Sequence, residues 1–375
     1  MKNSFVITRI KKIQIEVNIS WFLVFSLMIY TLATGYFPSV YPDLNVSSRW
    51  ILGGIIALLL FGSVLLHELG HSLVSIRQGI PVKKITLFIF GGIAQIEKEP
   101  DEPVKELKIA AAGPLVSIFL FLLFMAMARL LGYIGAPEVL VIPMDYLSSA
   151  NLILAGFNLI PAFPLDGGRI LKSVIWYFSK DGQKATKVAA FTGSLFGFFL
   201  IFIGVFLLLN NFIVDGIWLA FIGWFINQES KSSYQSKVLT DIFDKIQVDQ
   251  FMTGDVVSVD SDISIQELIE NYFYKYKFNA FPVEKAGRVV GIVRGESIKR
   301  IPAEARGRTL SGSVAIPLSE NLVVSPSDTV TTAMTKTAAN GVGRVLVMDT
   351  EGNLLGIVSN TDILNYLRTY QQLNG

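Results

Sequence analysis

The sequence predicts a polytopic α-helical membrane domain of about six spans, carrying a β-hairpin or re-entrant element, followed by a soluble α/β module built from two repeats. Three observations predict it. Apolar windows long enough to cross a bilayer recur as far as residue 227. Charged residues make up only 17% of the chain, where a soluble protein carries roughly 25%, and the shortfall is confined to that first part. The rest has ordinary soluble composition and repeats a pattern of its own. The expected division is a membrane domain at 1–227, a linker at 228–244, and modules at 245–302 and 303–375.

The apolar windows lie at about 19–37, 51–76, 107–133, 139–160, 188–209 and 212–227. Basic residues gather in alternate connections. Lys2, Arg9, Lys11 and Lys12 precede the first window, and Arg77, Lys83 and Lys84 follow the second. Lys105 and Lys108 precede the third, and Arg169, Lys172, Lys180, Lys184 and Lys187 separate the fourth from the fifth. The other connections are nearly free of Lys and Arg. The positive-inside rule then places both termini and the soluble module in the cytoplasm of a multi-pass cell-membrane protein. Met1–Val17 is basic and mixed, which reads as a short β-like or interfacial segment rather than a cleavable signal. A net charge of +2 offers no basis for nucleic-acid binding.

The chain has two histidines, and both fall in one word, His67-Glu68-Leu69-Gly70-His71, inside the second apolar window. Imidazoles at i and i+4 project from one helix face, which is metal-ligand spacing, and Glu68 lies toward the same side. Ionisable groups at membrane depth are costly unless they have partners or a function. With no cysteine and no further histidine, a third protein ligand must be a carboxylate.

Two stretches of the membrane domain do not read as plain helices. Ile85–Glu97 is too short to span, is rich in β-formers and is split by Gly91-Gly92. It reads as a hairpin or re-entrant element, or as a hairpin on the membrane surface. Asn158–Arg169 contains Pro161, Pro164, Gly167 and Gly168, which break a helix. Asp166 sits on that break and is the best-placed third ligand, although Asp-Gly is also a common turn pair. Asp145, Asp215, Glu97 and Glu99 are weaker rivals, placed in outer loops or a charged run.

Beyond residue 245, Gly287–Ile298 matches Gly352–Ile363, and Val257–Asp262 matches Val323–Asp328. Each half reads strand, helix, strand, turn, strand, helix, and neither is large enough to be comfortable alone.

These motifs together resemble the site-2 protease family of intramembrane zinc metalloproteases, in the archaeal and bacterial branch that carries cystathionine-β-synthase (CBS) modules behind the protease. The resemblance rests on the HExxH word in a span and on Asn158-x-x-Pro161-x-x-x-x-Asp166-Gly167. It rests also on the Gly91-Gly92 hairpin, on Ala111-Ala112-Gly113-Pro114 as a small-residue helix start, and on the tandem repeat. It implies one zinc per chain on His67, His71 and Asp166, with Glu68 as general base. Asn158 could then donate to the oxyanion, or serve only to bond helix backbone. The implied substrate is a transmembrane segment of a membrane-anchored protein in the bilayer. It must be unwound before hydrolysis, and the β-rich composition around Gly91-Gly92 suggests that the Ile85–Glu97 hairpin holds it by strand addition.

The CBS resemblance implies an adenine-nucleotide site. Ser359-Asn360-Thr361-Asp362 fits its ribose-contacting turn at Ser359, Thr361 and Asp362, while Arg294-Gly295-Glu296-Ser297 departs from it. A homodimer through the CBS pair is a further expectation. The rival class is a CBS-regulated membrane transporter or channel, since broken helices and buried charge are also transporter features.

Overall fold

The computed structural model describes residues 4–11, 13–89, 91–96 and 99–374, so Lys2, Lys12 and Glu97 lie outside the described residues. The chain forms two compact units, Met1–Lys237 and Val238–Gly375.

The first unit opens with strands β1 (Ser4–Ile10) and β2 (Ile13–Asn18). Asn18 ends β2 and caps the next helix by accepting a hydrogen bond from the Ser20 N–H at 3.0 Å. That helix, α1 (Ile19–Thr31), runs on through a π-turn at Leu32–Tyr36 into α2 (Phe37–Val40). α3 (Val46–Arg77) is capped in the same way, with the Asn45 side chain accepting from the Ser48 N–H at 2.8 Å. There follow β3 (Val82–Phe88), β4 (Gly91–Ile96), α4 (Pro103–Tyr133), α5 (Glu138–Asn158), α6 (Asp166–Ser179), α7 (Gly182–Leu209) and α8 (Ile213–Phe243).

Among the described residues, five helical stretches are long and apolar enough to cross a membrane: Ile19–Val40, Val46–Arg77, Pro103–Tyr133, Glu138–Asn158 and Gly182–Leu209. The sixth apolar window, 212–227, forms the first half of α8, which carries on as a polar helix through Asn227, Gln228 and Glu229. The stretch 228–244 is therefore helical up to Phe243. Large apolar side chains such as Phe191, Phe198, Phe202 and Leu209 of α7 stay exposed, as expected of a surface that lipid covers.

The hairpin expected around Gly91-Gly92 is β3–β4, and it belongs to a four-stranded sheet ordered β1-β2-β3-β4. β2 pairs with β3 in parallel, and the other two pairings are antiparallel. The N-terminal segment is thus half of this sheet. Ile13, Ile15, Val82 and Ile85 pack with Leu69 of α3, inside the HExxH word. That core seats the sheet against the histidine turn.

The second unit repeats a strand–helix–strand–strand pattern. β5 (Val259–Asp260), β6 (Ala280–Lys285), β7 (Arg288–Arg294) and β8 (Ile316–Pro317) form one sheet, and β9 (Val323–Val324), β10 (Arg344–Met348) and β11 (Leu354–Ser359) form the other. Each half has its own core, centred on Phe281 and Val293 in the first and on Val345 and Val358 in the second. A shared cluster of Ala280, Val289, Ile292, Leu322 and Leu346 joins them, which is why neither half stands alone.

Candidate metal centre

α3 buries His67 and His71 on one face, at 4% and 5% exposure. Asp166, the first residue of α6, meets them. Its Oδ2 lies 3.2 Å from His67 Nε2 and 3.1 Å from His71 Nε2, and the two Nε2 atoms are 3.2 Å apart. Among the described residues this is the one group of three or more metal-ligating side chains that converges. Of the rival carboxylates, Glu99 instead faces Lys237, 3.6 Å away.

The segment that delivers Asp166 is held by its neighbours. The Phe163 carbonyl accepts from Ser230 Oγ at 2.6 Å, and the Phe163 N–H reaches the Ala189 carbonyl at 3.4 Å. Pro161 and Pro164 keep it non-helical between α5 and α6.

One face of α4 orients both imidazoles. His71 Nδ1 donates to the Ile109 carbonyl at 2.7 Å, and His67 Nδ1 lies 2.9 Å from Ser117 Oγ. A carbonyl only accepts, so the proton of neutral His71 sits on Nδ1 and its Nε2 lone pair points inward. In either tautomer of His67, the contact between His71 Nε2 and Asp166 Oδ2 then has no proton in it. Two opposed lone pairs in a buried site are reconciled by a cation, so the donor set fits a zinc ion with two nitrogen ligands and one oxygen ligand. Gly113 lies between Ile109 and Ser117 on this face. A Cβ there would collide with His71 Nε2 and come within 2.6 Å of His67 Nε2. The small residues Ala111–Pro114 thus lie inside α4, not at a helix start: the helix begins at Pro103, and the motif provides closeness of approach.

Glu68 makes no hydrogen bond or ion pair with any described residue, so its carboxylate is free for proton chemistry. β4 passes over it so closely that a Cβ on Gly92 would overlap the Glu68 side chain. Gly91, with φ of 123°, starts that strand. Asn158 ends α5 and donates through Nδ2 to the Leu154 carbonyl at 3.0 Å. In the second unit, Asp362 Oδ2 accepts from the Ser359 N–H at 2.8 Å and from Ser359 Oγ at 2.7 Å, while Thr361 is exposed.

Sequence reasoning missed Ser117, the Ile109 carbonyl and a buried ion pair, Arg169 Nε to Glu106 Oε1 at 2.9 Å, one turn beyond Asp166. Arg169 had counted only as a topogenic charge. The 109–113–117 spacing is the signal that could have exposed the α4 face.

Two buried imidazoles and a carboxylate, gathered among membrane-length helices beside a free glutamate, define a membrane-embedded metallohydrolase. The model of peptidase family M50 matches residues 55–141 and 135–203, and the CBS domain model matches 248–304 and 314–369. A protein of Synechocystis sp. named "Putative zinc metalloprotease sll0528" is 34% identical over 380 residues, covering 98% of this chain and 97% of its own. The zinc metalloprotease MJ0392 of Methanocaldococcus jannaschii is 34% identical over 335 residues, covering 88% and 89%. The solved site-2 protease of Methanocaldococcus jannaschii is 32% identical, covers 62% of this chain and 95% of its own, and superposes with a TM-score of 0.42. The chain belongs to peptidase family M50, with two CBS domains behind the peptidase region.

Proposed function

We propose that the protein is a zinc-dependent intramembrane endopeptidase that cuts transmembrane segments of membrane-anchored proteins. The observation that carries this is the buried convergence of His67, His71 and Asp166 beside an unbonded Glu68. His67, His71 and Asp166 would hold one zinc per chain. Bound there, zinc would supply Lewis-acid polarisation of the scissile carbonyl and acidify water near neutral pH. Glu68 takes the proton from the attacking water and returns it to the departing amine nitrogen. The second amide proton of Asn158 is directed to the developing oxyanion.

β4 ends the sheet order, and Gly92 brings that strand onto Glu68. An unwound substrate segment adds to β4 at Gly91-Gly92, which presents its backbone to the base. The charge pattern supports a cytoplasmic CBS unit. Adenine nucleotide binds at Ser359, Thr361 and Asp362 and shifts activity by favouring one conformation of the peptidase domain. The CBS pair also joins two chains as a homodimer. Titration calorimetry with ATP and AMP, and sedimentation of the detergent-solubilised chain, test these two points.

The deciding experiment is cleavage of single-span membrane proteins by the purified chain in detergent, beside Glu68→Gln, with zinc measured in both. Cleavage lost in the variant while zinc is retained is the expected result. Neither cleavage nor zinc in the unaltered protein overturns the reading.

A further inference from the structure

A cavity of about 550 Å³ lies in the first unit. Ile96, the last residue of β4, lines it, as do Phe163, Lys172 of α6, and Glu229, Ser232 and Ser233 of α8. Two ion pairs lie in its wall, Arg169 with Glu106 at 2.9 Å and Lys237 with Glu99 at 3.6 Å. Lys172 is in neither: it is 9% exposed and makes no hydrogen bond or close ion pair with any described residue, and Glu106, already bound to Arg169, attracts it only at longer range. Glu229, partly exposed on the α8 wall, is not bonded to it. A buried ammonium without a hydrogen-bonded counter-ion is costly. A cavity that holds such an ammonium beside the serine hydroxyls of α8 offers a further carboxylate a direct partner.

The position of the cavity says which carboxylate. β4 begins over Glu68 at Gly91-Gly92 and ends at the cavity at Ile96. At 3.3–3.4 Å per residue, that distance is about 13 Å, or about four residues of a paired strand. We propose that Lys172 is a specificity-determining residue, and that the cavity receives an acidic side chain of the substrate about four positions from the scissile bond, on the side that runs toward Ile96. This rests on the peptidase reading and on strand addition to β4. The source of the carboxylate is the substrate, not an anionic lipid headgroup.

The test is a scan of Glu, Gln and Lys through positions two to six on either side of the cut in a cleaved single-span substrate. It is run with the full-length protein in nanodiscs of neutral and of anionic lipid. The unaltered protein should prefer Glu over Gln by about tenfold in kcat/KM at one position near the fourth, on one side only, in both lipids. Lys172→Glu should invert the preference toward Lys, and Glu229→Gln, which removes the competing carboxylate, should strengthen the preference for Glu. Cleavage indifferent to charge at every position overturns the proposal and leaves the peptidase standing. So does a preference that survives in both Lys172→Gln and Lys172→Glu. A preference seen in neutral lipid and abolished by anionic lipid gives the cavity to a headgroup and also overturns it. Absence of both cleavage and bound zinc in the unaltered protein removes the peptidase reading and this subsite with it. The scan on the unaltered protein decides the matter even where a Lys172 variant does not fold.

Discussion

The metal centre and the Ser359–Asp362 turn both place a carboxylate at the start of a helix, and they treat it in opposite ways. Asp362 is satisfied within its own turn, with the Ser359 N–H and hydroxyl both donating to Oδ2. Asp166 faces two imidazole nitrogens, and neutral His71, whose proton is held by the Ile109 carbonyl, offers it none. A turn that closes on itself folds without a ligand, and any ligand it takes is an addition. A centre left with opposed lone pairs is suited to a cation. The peptidase half is thus the part of the molecule in which the fold prepares a place for the proposed cofactor.

The sharpest way to break that contrast is at the centre. His71→Ala and Asp166→Ala should each lose bound zinc and all measurable cleavage. Gly113→Ala should do the same without touching a ligand, because its methyl group would occupy the space of the two Nε2 atoms. Metal analysis of the purified variants checks all three, and full zinc in Gly113→Ala would refute the close packing of α4 on α3. Next in size is Glu68→Gln, expected to keep its zinc and to lower kcat by roughly 10²–10⁴. Ser117→Ala should weaken zinc affinity by about 10- to 100-fold, measured by competition with a chelator, since it removes the partner of His67 Nδ1. The smallest effect belongs to the other region. Asp362→Ala removes two hydrogen bonds and should cost the CBS unit roughly 1–3 kcal/mol, seen as a lower melting transition in the full-length protein, with zinc content unchanged. Loss of zinc in that variant would erase the contrast.

Much of this was legible in the chain. The His67–His71 word is local, because two side chains one helical turn apart share a face whatever surrounds them. The CBS repeat shows itself by self-similarity, and the Gly91-Gly92 hairpin by composition. Asp166 was reached by elimination, since a chain with two histidines and no cysteine must complete a metal site with a carboxylate. The sheet was only half legible. Its β1–β2 arm is far from β3 in sequence, and parallel pairing of β2 with β3 leaves no turn between them to read.

By itself, then, the sequence determined the membrane and CBS parts, the kind of metal chemistry and the ligand set proposed for it, because each follows from residue type and short-range periodicity. Only the tertiary structure decided that one face of α4 holds both imidazoles, that β4 lies over Glu68, that Arg169 belongs to Glu106, and that Lys172 is buried with no hydrogen bond to any described residue. Those relations join residues that are tens of positions apart. They depend on which helix faces pack together, and no local pattern carries that information.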